Sequence, residues 1–115
     1  MIKIFLAESE ETARCAMKEA VDWKNEGYVF SGAADGEEAY ERILEKKPDV
    51  LITDADLPFI DGFELSRLVK EALPDIKIVI LSNDEKFEYV RLAISMGVSD
   101  YLVKPVSPEN LVSSL

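Results

Sequence analysis

Three side chains suited to phosphate chemistry follow short apolar runs that have the character of buried strands. Asp54 comes directly after VLIT, Ser82 after IVIL and Lys104 after YLV. A carboxylate at the end of a buried strand can act as a nucleophile where backbone carbonyls and a cation could also gather, and the strand ends together supply acids, a hydroxyl and an ammonium. These residue types therefore predict a site at which Asp54 accepts a phosphoryl group.

Each of the three residues also has a purely structural interpretation. Asp54 could hydrogen-bond the turn that follows it, Ser82 could hold a turn or a helix cap, and Lys104 could be a solvated surface lysine. In an open parallel sheet, however, ligands bind outside the carboxyl ends of the strands. Because all three residues stand at such ends, we favour the chemical interpretation.

Short apolar runs alternate with helical patterns along the whole chain, which is typical of successive βαβ units. The predicted strands are residues 2–7, 28–33, 49–53, 76–81 and 100–103, and the predicted helices lie near residues 13–21, 36–47, 62–73, 85–96 and 108–115. Such alternation favours an α/β fold, with a parallel sheet covered by helices on both faces.

Some helix ends and faces can be predicted from single residues. Ser9, followed by two glutamates, has the pattern of an N-cap for the first helix, and Ser107 has the same pattern before Pro108 in the fifth. In the fourth helix, the spacing of Phe87, Val90, Ala93 and Ile94 predicts an apolar stripe that faces the core. The fifth helix is short and carries an apolar stripe to Leu115, so we expect the last helix to be truncated and the chain to be an N-terminal fragment of a longer protein.

The composition limits the possible functions. The chain has 115 residues, of which 48% are hydrophobic and 31% charged, and this fits one globular domain covering residues 1–115. A net charge of −10 disfavours direct binding of nucleic acid. No apolar run approaches the roughly 20 residues of a membrane span. Cys15 is the one cysteine, so no internal disulfide can form, and the expected location is the cytoplasm.

The motifs ITDADLPFIDG, IVILSN and SDYLVKP end in or surround the three candidate residues. Together they resemble the receiver domain of two-component response regulators, and the resemblance covers essentially the whole chain. The segments VDWKNEGYVFSGAADGEEA and FEYVRLAISMGVSDYLVKPV are most similar to receivers that precede AraC-type DNA-binding domains. The resemblance implies a flavodoxin-like, doubly wound sheet with the strand order 2-1-3-4-5.

The resemblance also implies a role for each site residue. Asp54 would accept a phosphoryl group from a sensor histidine kinase, with Lys104 and Ser82 contacting that group. Ser82 and Tyr101 would act as switch residues, and the Lys104–Pro105 peptide bond would be cis. The implied cofactor is Mg²⁺, and its expected ligands are Glu8, Asp54 and the backbone carbonyl of Asp56, whose side chain would face solvent.

One position departs from the family pattern. Receivers normally carry two adjacent acids after the first strand, and the second acid is a direct Mg²⁺ ligand. This chain has Glu8 in the first position and Ser9 in the second. A neutral hydroxyl removes one negative charge from a site for a hard cation, so Mg²⁺ binding should be weak unless Glu10 compensates.

The leading hypothesis is therefore a phosphoryl-accepting signalling domain rather than a conventional enzyme, although it could catalyse its own phosphorylation and dephosphorylation. A changed surface on the fourth helix and fifth strand would control an output domain, expected to be transcriptional, and a homodimer could form through the fourth helix, fifth strand and fifth helix. One alternative is a phosphorylation-independent interaction module with a weakened Mg²⁺ site. Another is a flavodoxin-like cofactor binder, but acids stand after the first strand where a phosphate-binding loop would be needed.

Overall fold

The computed structural model describes residues 1–84 and 86–115, and over these residues it is a parallel five-stranded sheet with five helices. The strands are β1 (Ile2–Ala7), β2 (Tyr28–Ala33), β3 (Val50–Asp54), β4 (Lys77–Ser82) and β5 (Asp100–Val103). The helices are α1 (Glu11–Ala20), α2 (Gly36–Lys46), α3 (Gly62–Ala72), α4 (Phe87–Ser95) and α5 (Pro108–Ser113). The strand order is β2-β1-β3-β4-β5, which confirms the predicted doubly wound topology.

The central strands β1, β3 and β4 supply most of the hydrophobic core. All five residues of β3 are buried, as expected for a parallel strand that is covered on both faces. Helices α2, α3 and α4 pack on one face of the sheet, around Ile43, Leu65 and Ala93. On the other face, Trp23 and Leu111 pack against the apolar side chains of β1 and β4. The two layers of helices hold the central strand ends in fixed positions.

The ends of β3 and β4 differ slightly from the prediction. Both strands begin and end one residue later than expected, so Asp54 and Ser82 are the last residues of their strands rather than the first residues of the following loops. The predicted start of the fourth helix, Glu85, lies outside the described residues, and α4 begins at Phe87. No helix in the described part of the chain is both long and apolar enough to cross a membrane.

The exposed side of α4 corrects the prediction for Phe87 and Ile94. These side chains are 75% and 70% exposed, whereas the buried residue of α4 is Ala93. Each residue of a helix is rotated by about 100° from the one before it, because 3.6 residues make a turn. When the small Ala93 faces the sheet, Ile94 must point well away from it. The helix therefore presents apolar side chains to solvent.

The helix caps confirm one serine prediction and contradict the other. The Ser107 hydroxyl accepts a hydrogen bond from the backbone N–H of Asn110 at 3.1 Å, so it caps α5 as expected. Ser9 does not cap α1, because that helix begins at Glu11 and its N-cap residue is Glu10. An N-cap side chain reaches the amides two and three positions ahead. Ser9 stands one residue too early for this role.

Candidate functional site

Three charged side chains meet at the carboxyl edge of the sheet. Asp54 ends β3, Glu8 directly follows β1 and Lys104 directly follows β5. The Lys104 ammonium donates hydrogen bonds to Glu8 Oε1 at 2.9 Å and to Asp54 Oδ2 at 3.0 Å. Glu8 and Asp54 are both buried and share the partly exposed Lys104 ammonium as their cation. Of the four residues expected to meet at this edge, Glu8, Asp54 and Lys104 are in contact, whereas the Ser82 hydroxyl makes no hydrogen bond with them in the described part of the chain.

Burial and charge act in opposite directions on these groups. Burial raises the pKa of Glu8, and the neighbouring Asp54 carboxylate raises it further, against the opposing effect of Lys104. For Lys104, burial alone would lower the pKa, but the hydrogen bonds to Glu8 and Asp54 outweigh it and the pKa is raised. The ammonium therefore stays charged at neutral pH and offsets the repulsion between the two acids.

One oxygen of this cluster has no hydrogen-bond partner. Glu8 Oε2 is buried and unpaired among residues 1–84 and 86–115. A buried carboxylate oxygen without a partner costs free energy, and a hard cation is a partner that would satisfy it. In the described part of the chain, no three His, Cys, Asp or Glu side chains come together as a metal-binding group. Glu8 and Asp54 are the two buried carboxylates at the cleft.

A cleft of about 710 Å³ opens beside the carboxylates. Its apolar part is lined by side chains of α1, α5 and the segment before α5, and its polar part by Glu8, Ser9, Glu10, Asp54, Asp56, Asn83 and Lys104. The Asp54 side chain is about 10% exposed. It is therefore largely enclosed, but the cleft reaches it.

Asp56, Pro105 and Ser9 lie next to these charged side chains, in the positions expected from the sequence. The Asp56 side chain is exposed, and its backbone N–H donates to Asp54 Oδ1 at 3.3 Å. The Lys104–Pro105 peptide bond is cis, the isomer that the resemblance implies. Ser9 is half-buried at the cleft wall, at the position where a second acid was expected.

Ser82 and Tyr101 are linked through the backbone of Asp84. The buried Ser82 hydroxyl accepts a hydrogen bond from the Asp84 N–H at 3.0 Å, and the half-buried Tyr101 hydroxyl donates to the Asp84 carbonyl at 2.6 Å. Among the described residues, the Ser82 hydroxyl makes no hydrogen bond with Asp54. Ser82 therefore lies at the carboxyl edge of the sheet, as predicted. Its hydroxyl holds a turn, which is the structural alternative given in the sequence analysis.

Sequence reasoning did not identify Asp84, Asn83 or Gly62 as parts of this region. Asp84 acts through its backbone, and a backbone hydrogen bond leaves no signal in the residue type. Gly62 begins α3 directly against the backbone of Asp54, and a Cβ atom on it would lie 2.1 Å from the Asp54 carbonyl oxygen. The Asp61-Gly62 pair does carry a local signal, because Asp61 accepts a bond from the Glu64 N–H and caps α3.

Gly62→Ala is expected to lower the free energy of unfolding by about 1–3 kcal/mol, the usual cost of overpacking. The added methyl group would press on the Asp54 carbonyl oxygen and on Ala55 Cα, and neither backbone atom can turn aside. Urea unfolding measures this effect. Glu71→Ala, on the exposed far end of the same helix, is the control and should change stability by no more than about 0.5 kcal/mol. Equal midpoints for the two variants would contradict the close approach of α3.

Comparison with known protein families shows a match to the response regulator receiver domain over residues 4–115. A curated relative, the uncharacterized transcriptional regulatory protein YesN of Bacillus subtilis, is 38% identical over the whole of this chain. The oxygen regulatory protein NreC of Staphylococcus epidermidis is 32% identical over 96% of the chain. The chain spans 32% of the length of the first relative and 51% of the second.

Solved structures agree with this assignment. The receiver domain of AraT, a response regulator from Geobacillus stearothermophilus, matches with a TM-score of 0.89 and 34% identity, over 97% of this chain and 88% of that one. The chemotaxis response regulator CheY4 of Vibrio cholerae matches with a TM-score of 0.87 and 27% identity, over 99% and 95% of the two chains. The fold, the matched motifs and these relatives agree, and the chain belongs to the response regulator receiver domain family.

Proposed function

We propose that Asp54 accepts a phosphoryl group from the phosphohistidine of a sensor histidine kinase. The contact of the Lys104 ammonium with both Glu8 and Asp54, beside an open cleft, is the observation that carries this proposal. An oxygen of the Asp54 carboxylate would bond to phosphorus while the bond from phosphorus to the donor imidazole breaks. The imidazole nitrogen keeps the electron pair of that bond.

Lys104 and Ser82 would act on the transferred group. Phosphoryl transfer requires mainly that the reacting groups be positioned and that the charge on the phosphoryl oxygens be neutralised. The Lys104 ammonium already lies 3.0 Å from Asp54 Oδ2 and can contact such an oxygen. The Ser82 hydroxyl oxygen accepts from the Asp84 N–H, so its hydrogen can donate to the phosphoryl group. A shift of Ser82 towards that group would move Asp84 and, through the Asp84 carbonyl, the Tyr101 hydroxyl, so Ser82 and Tyr101 are the proposed switch residues.

Receiver domains generally bind Mg²⁺, which supplies positive charge next to the phosphoryl oxygens. In this chain, the proposed ligands are Glu8 through its unpaired Oε2, Asp54, and the backbone carbonyl of Asp56. The oxygen-only donor set and the unpaired buried oxygen fit such an ion. Ser9 contributes a neutral hydroxyl where an acid is usual, so we propose that the ion binds weakly.

Intact-mass measurement after incubation with acetyl phosphate, with and without Mg²⁺, tests the proposed function. We expect a gain of one phosphoryl group that depends on Mg²⁺ and is removed by hydroxylamine, which cleaves acyl phosphates. An adduct that resists hydroxylamine would indicate a phosphate ester on a hydroxyl and would contradict the proposal. Absence of any adduct would favour the alternative, a phosphorylation-independent interaction module, which the neutral Ser9 supports.

Ser9→Asp is expected to tighten Mg²⁺ binding by about tenfold, which corresponds to about 1.4 kcal/mol. The new carboxylate would face the cleft beside Glu8 and add a charged oxygen ligand. Calorimetric titration with Mg²⁺ measures the dissociation constant. Ser99→Asp introduces the same charge at an exposed position before β5, on the opposite edge of the sheet, and should leave the constant unchanged. Equal affinities for both variants would count against a metal site at Glu8.

The remaining parts of the proposal concern the whole regulator. Phosphorylation would alter the surface of α4 and β5, where Phe87, Ile94 and Val103 are exposed, and a homodimer could form through α4, β5 and α5.

Because the relatives are longer transcriptional regulators, we propose a transcriptional output that lies outside residues 1–115, with no direct nucleic-acid binding by this acidic segment. Exchange with a histidine kinase would take place in the cytoplasm, and the domain would catalyse its own phosphorylation from small donors and its own dephosphorylation.

A further inference from the structure

The loop between β3 and α3 holds an aromatic residue in unfavourable backbone geometry. Phe59 has a φ of +70°, and the N–H of Ile60 donates to the carbonyl of Pro58 at 2.8 Å. This bond closes a γ-turn centred on Phe59, and γ-turns with positive φ are rare and strained. Glycine adopts positive φ readily, but a bulky side chain does so at a cost.

The exposed Phe59 ring does not stabilise the fold enough to explain this backbone geometry. The side chain is 83% exposed, whereas Leu57 is buried and Ile60 packs against the core on the other side of the turn. A single exposed apolar residue on a protein surface needs no explanation. An exposed aromatic ring whose backbone is also strained does need one, because the chain loses stability through both features. Strain that the surrounding structure maintains is a feature of functional sites.

The position of the γ-turn indicates which partner would use the ring. Phe59 follows Asp54 by five positions, and Asp56, on the same loop, lines the cleft. The Asp54 side chain is largely enclosed, so a protein that brings a phosphohistidine to it must cover the mouth of the cleft. Such a protein must approach the loop of residues 55–61. A small donor molecule can reach Asp54 through the cleft alone.

We infer that Phe59 is a contact residue for the protein that donates the phosphoryl group, with its ring packed on apolar surface of that donor. This inference rests on the proposed function of Asp54. Buried aromatic side chains contribute strongly to the few contacts that dominate a protein interface. The γ-turn holds the ring in its outward position before the donor arrives, which reduces the entropy lost on binding.

Phe59→Asn separates this role from a structural one. Because the Phe59 ring is 83% exposed, its removal should leave the midpoint of urea unfolding nearly unchanged. With an autophosphorylated histidine kinase as donor, chosen from a panel as the one that labels the wild-type chain fastest, KM should rise about tenfold while kcat changes little. The rate of labelling by acetyl phosphate should be unchanged. Val29→Ala removes an exposed apolar side chain from β2, outside the proposed α4, β5 and α5 surface, and, as the control, should leave KM for the kinase unchanged.

Several outcomes would overturn the inference. One is an unchanged KM for the kinase in Phe59→Asn, and another is slower labelling by acetyl phosphate, which would reveal a distorted site. A dimer that depends on Phe59 in sedimentation would assign the ring to a second copy of this chain. If acetyl phosphate labels the wild-type chain but no kinase of the panel does, the inference fails and the proposed function stands. If neither donor labels it, the proposed function fails.

Discussion

Asp54→Asn is expected to abolish the phosphoryl adduct with both acetyl phosphate and a histidine kinase. The amide has nearly the shape of the carboxylate, but its oxygen is not a nucleophile at neutral pH. The Asp56 N–H can still donate to the amide oxygen, and Lys104 can still pair with Glu8. The fold should therefore survive while the reaction is lost. Intact-mass measurement should show no adduct above background.

Two conservative substitutions are matched controls for this result. Asp56→Asn changes an exposed acid two positions away and leaves the backbone carbonyl in place. Asp75→Asn makes the same change at an exposed turn on the opposite edge of the sheet, just before β4. Both should keep the adduct. A persistent adduct on Asp54→Asn would show that another residue is the acceptor, and peptide mapping would identify it.

Local patterns in the sequence predicted most of the fold. The alternation of apolar runs with helical spacing located every strand to within one residue, because buried parallel strands are short and continuously apolar. The faces of the helices were harder to predict. Phe87 and Ile94 lie at helical spacing, but periodicity does not tell which apolar side chains the sheet has room to bury. In α4 the small Ala93 occupies that room.

In the candidate site, too, some contacts could be predicted from the sequence and others could not. The convergence of Asp54, Glu8 and Lys104 follows from topology, since the carboxyl ends of neighbouring parallel strands lie at one edge. The link between Ser82 and Tyr101 does not, because it passes through the backbone of Asp84. The strain at Phe59 was equally hidden, as LPFIDG reads as an ordinary loop. Contacts made by backbone atoms and unusual dihedral angles require coordinates.

Lys104→Met is expected to slow phosphoryl transfer to Asp54 by about 10²–10³-fold, the usual cost of removing one group that stabilises charge in the transition state. Methionine keeps most of the length of the side chain but has no charge and no hydrogen-bond donor. The loss should be similar with acetyl phosphate and with a kinase, because Lys104 would act on the phosphoryl group and not on the donor. The initial rate of adduct formation measures it. Lys70→Met, which changes a lysine bonded to the Ile76 carbonyl at the other edge of the sheet, should keep the rate.

A second substitution distinguishes the chemical role of Lys104 from its structural one. Lys104→Met leaves the carboxylates of Glu8 and Asp54 close together without their shared cation, so the free energy of unfolding should fall by about 1–3 kcal/mol. This value is below the usual cost of breaking a buried ion pair because Lys104 is partly exposed. Adding Glu8→Gln removes one of the two charges and should restore much of the stability, as urea unfolding would show. Transfer should be slower in this double variant than in Glu8→Gln alone, which lacks the same proposed Mg²⁺ ligand but keeps Lys104. Equal transfer rates in these two variants would mean that Lys104 only holds the fold, and would contradict its role at the phosphoryl group.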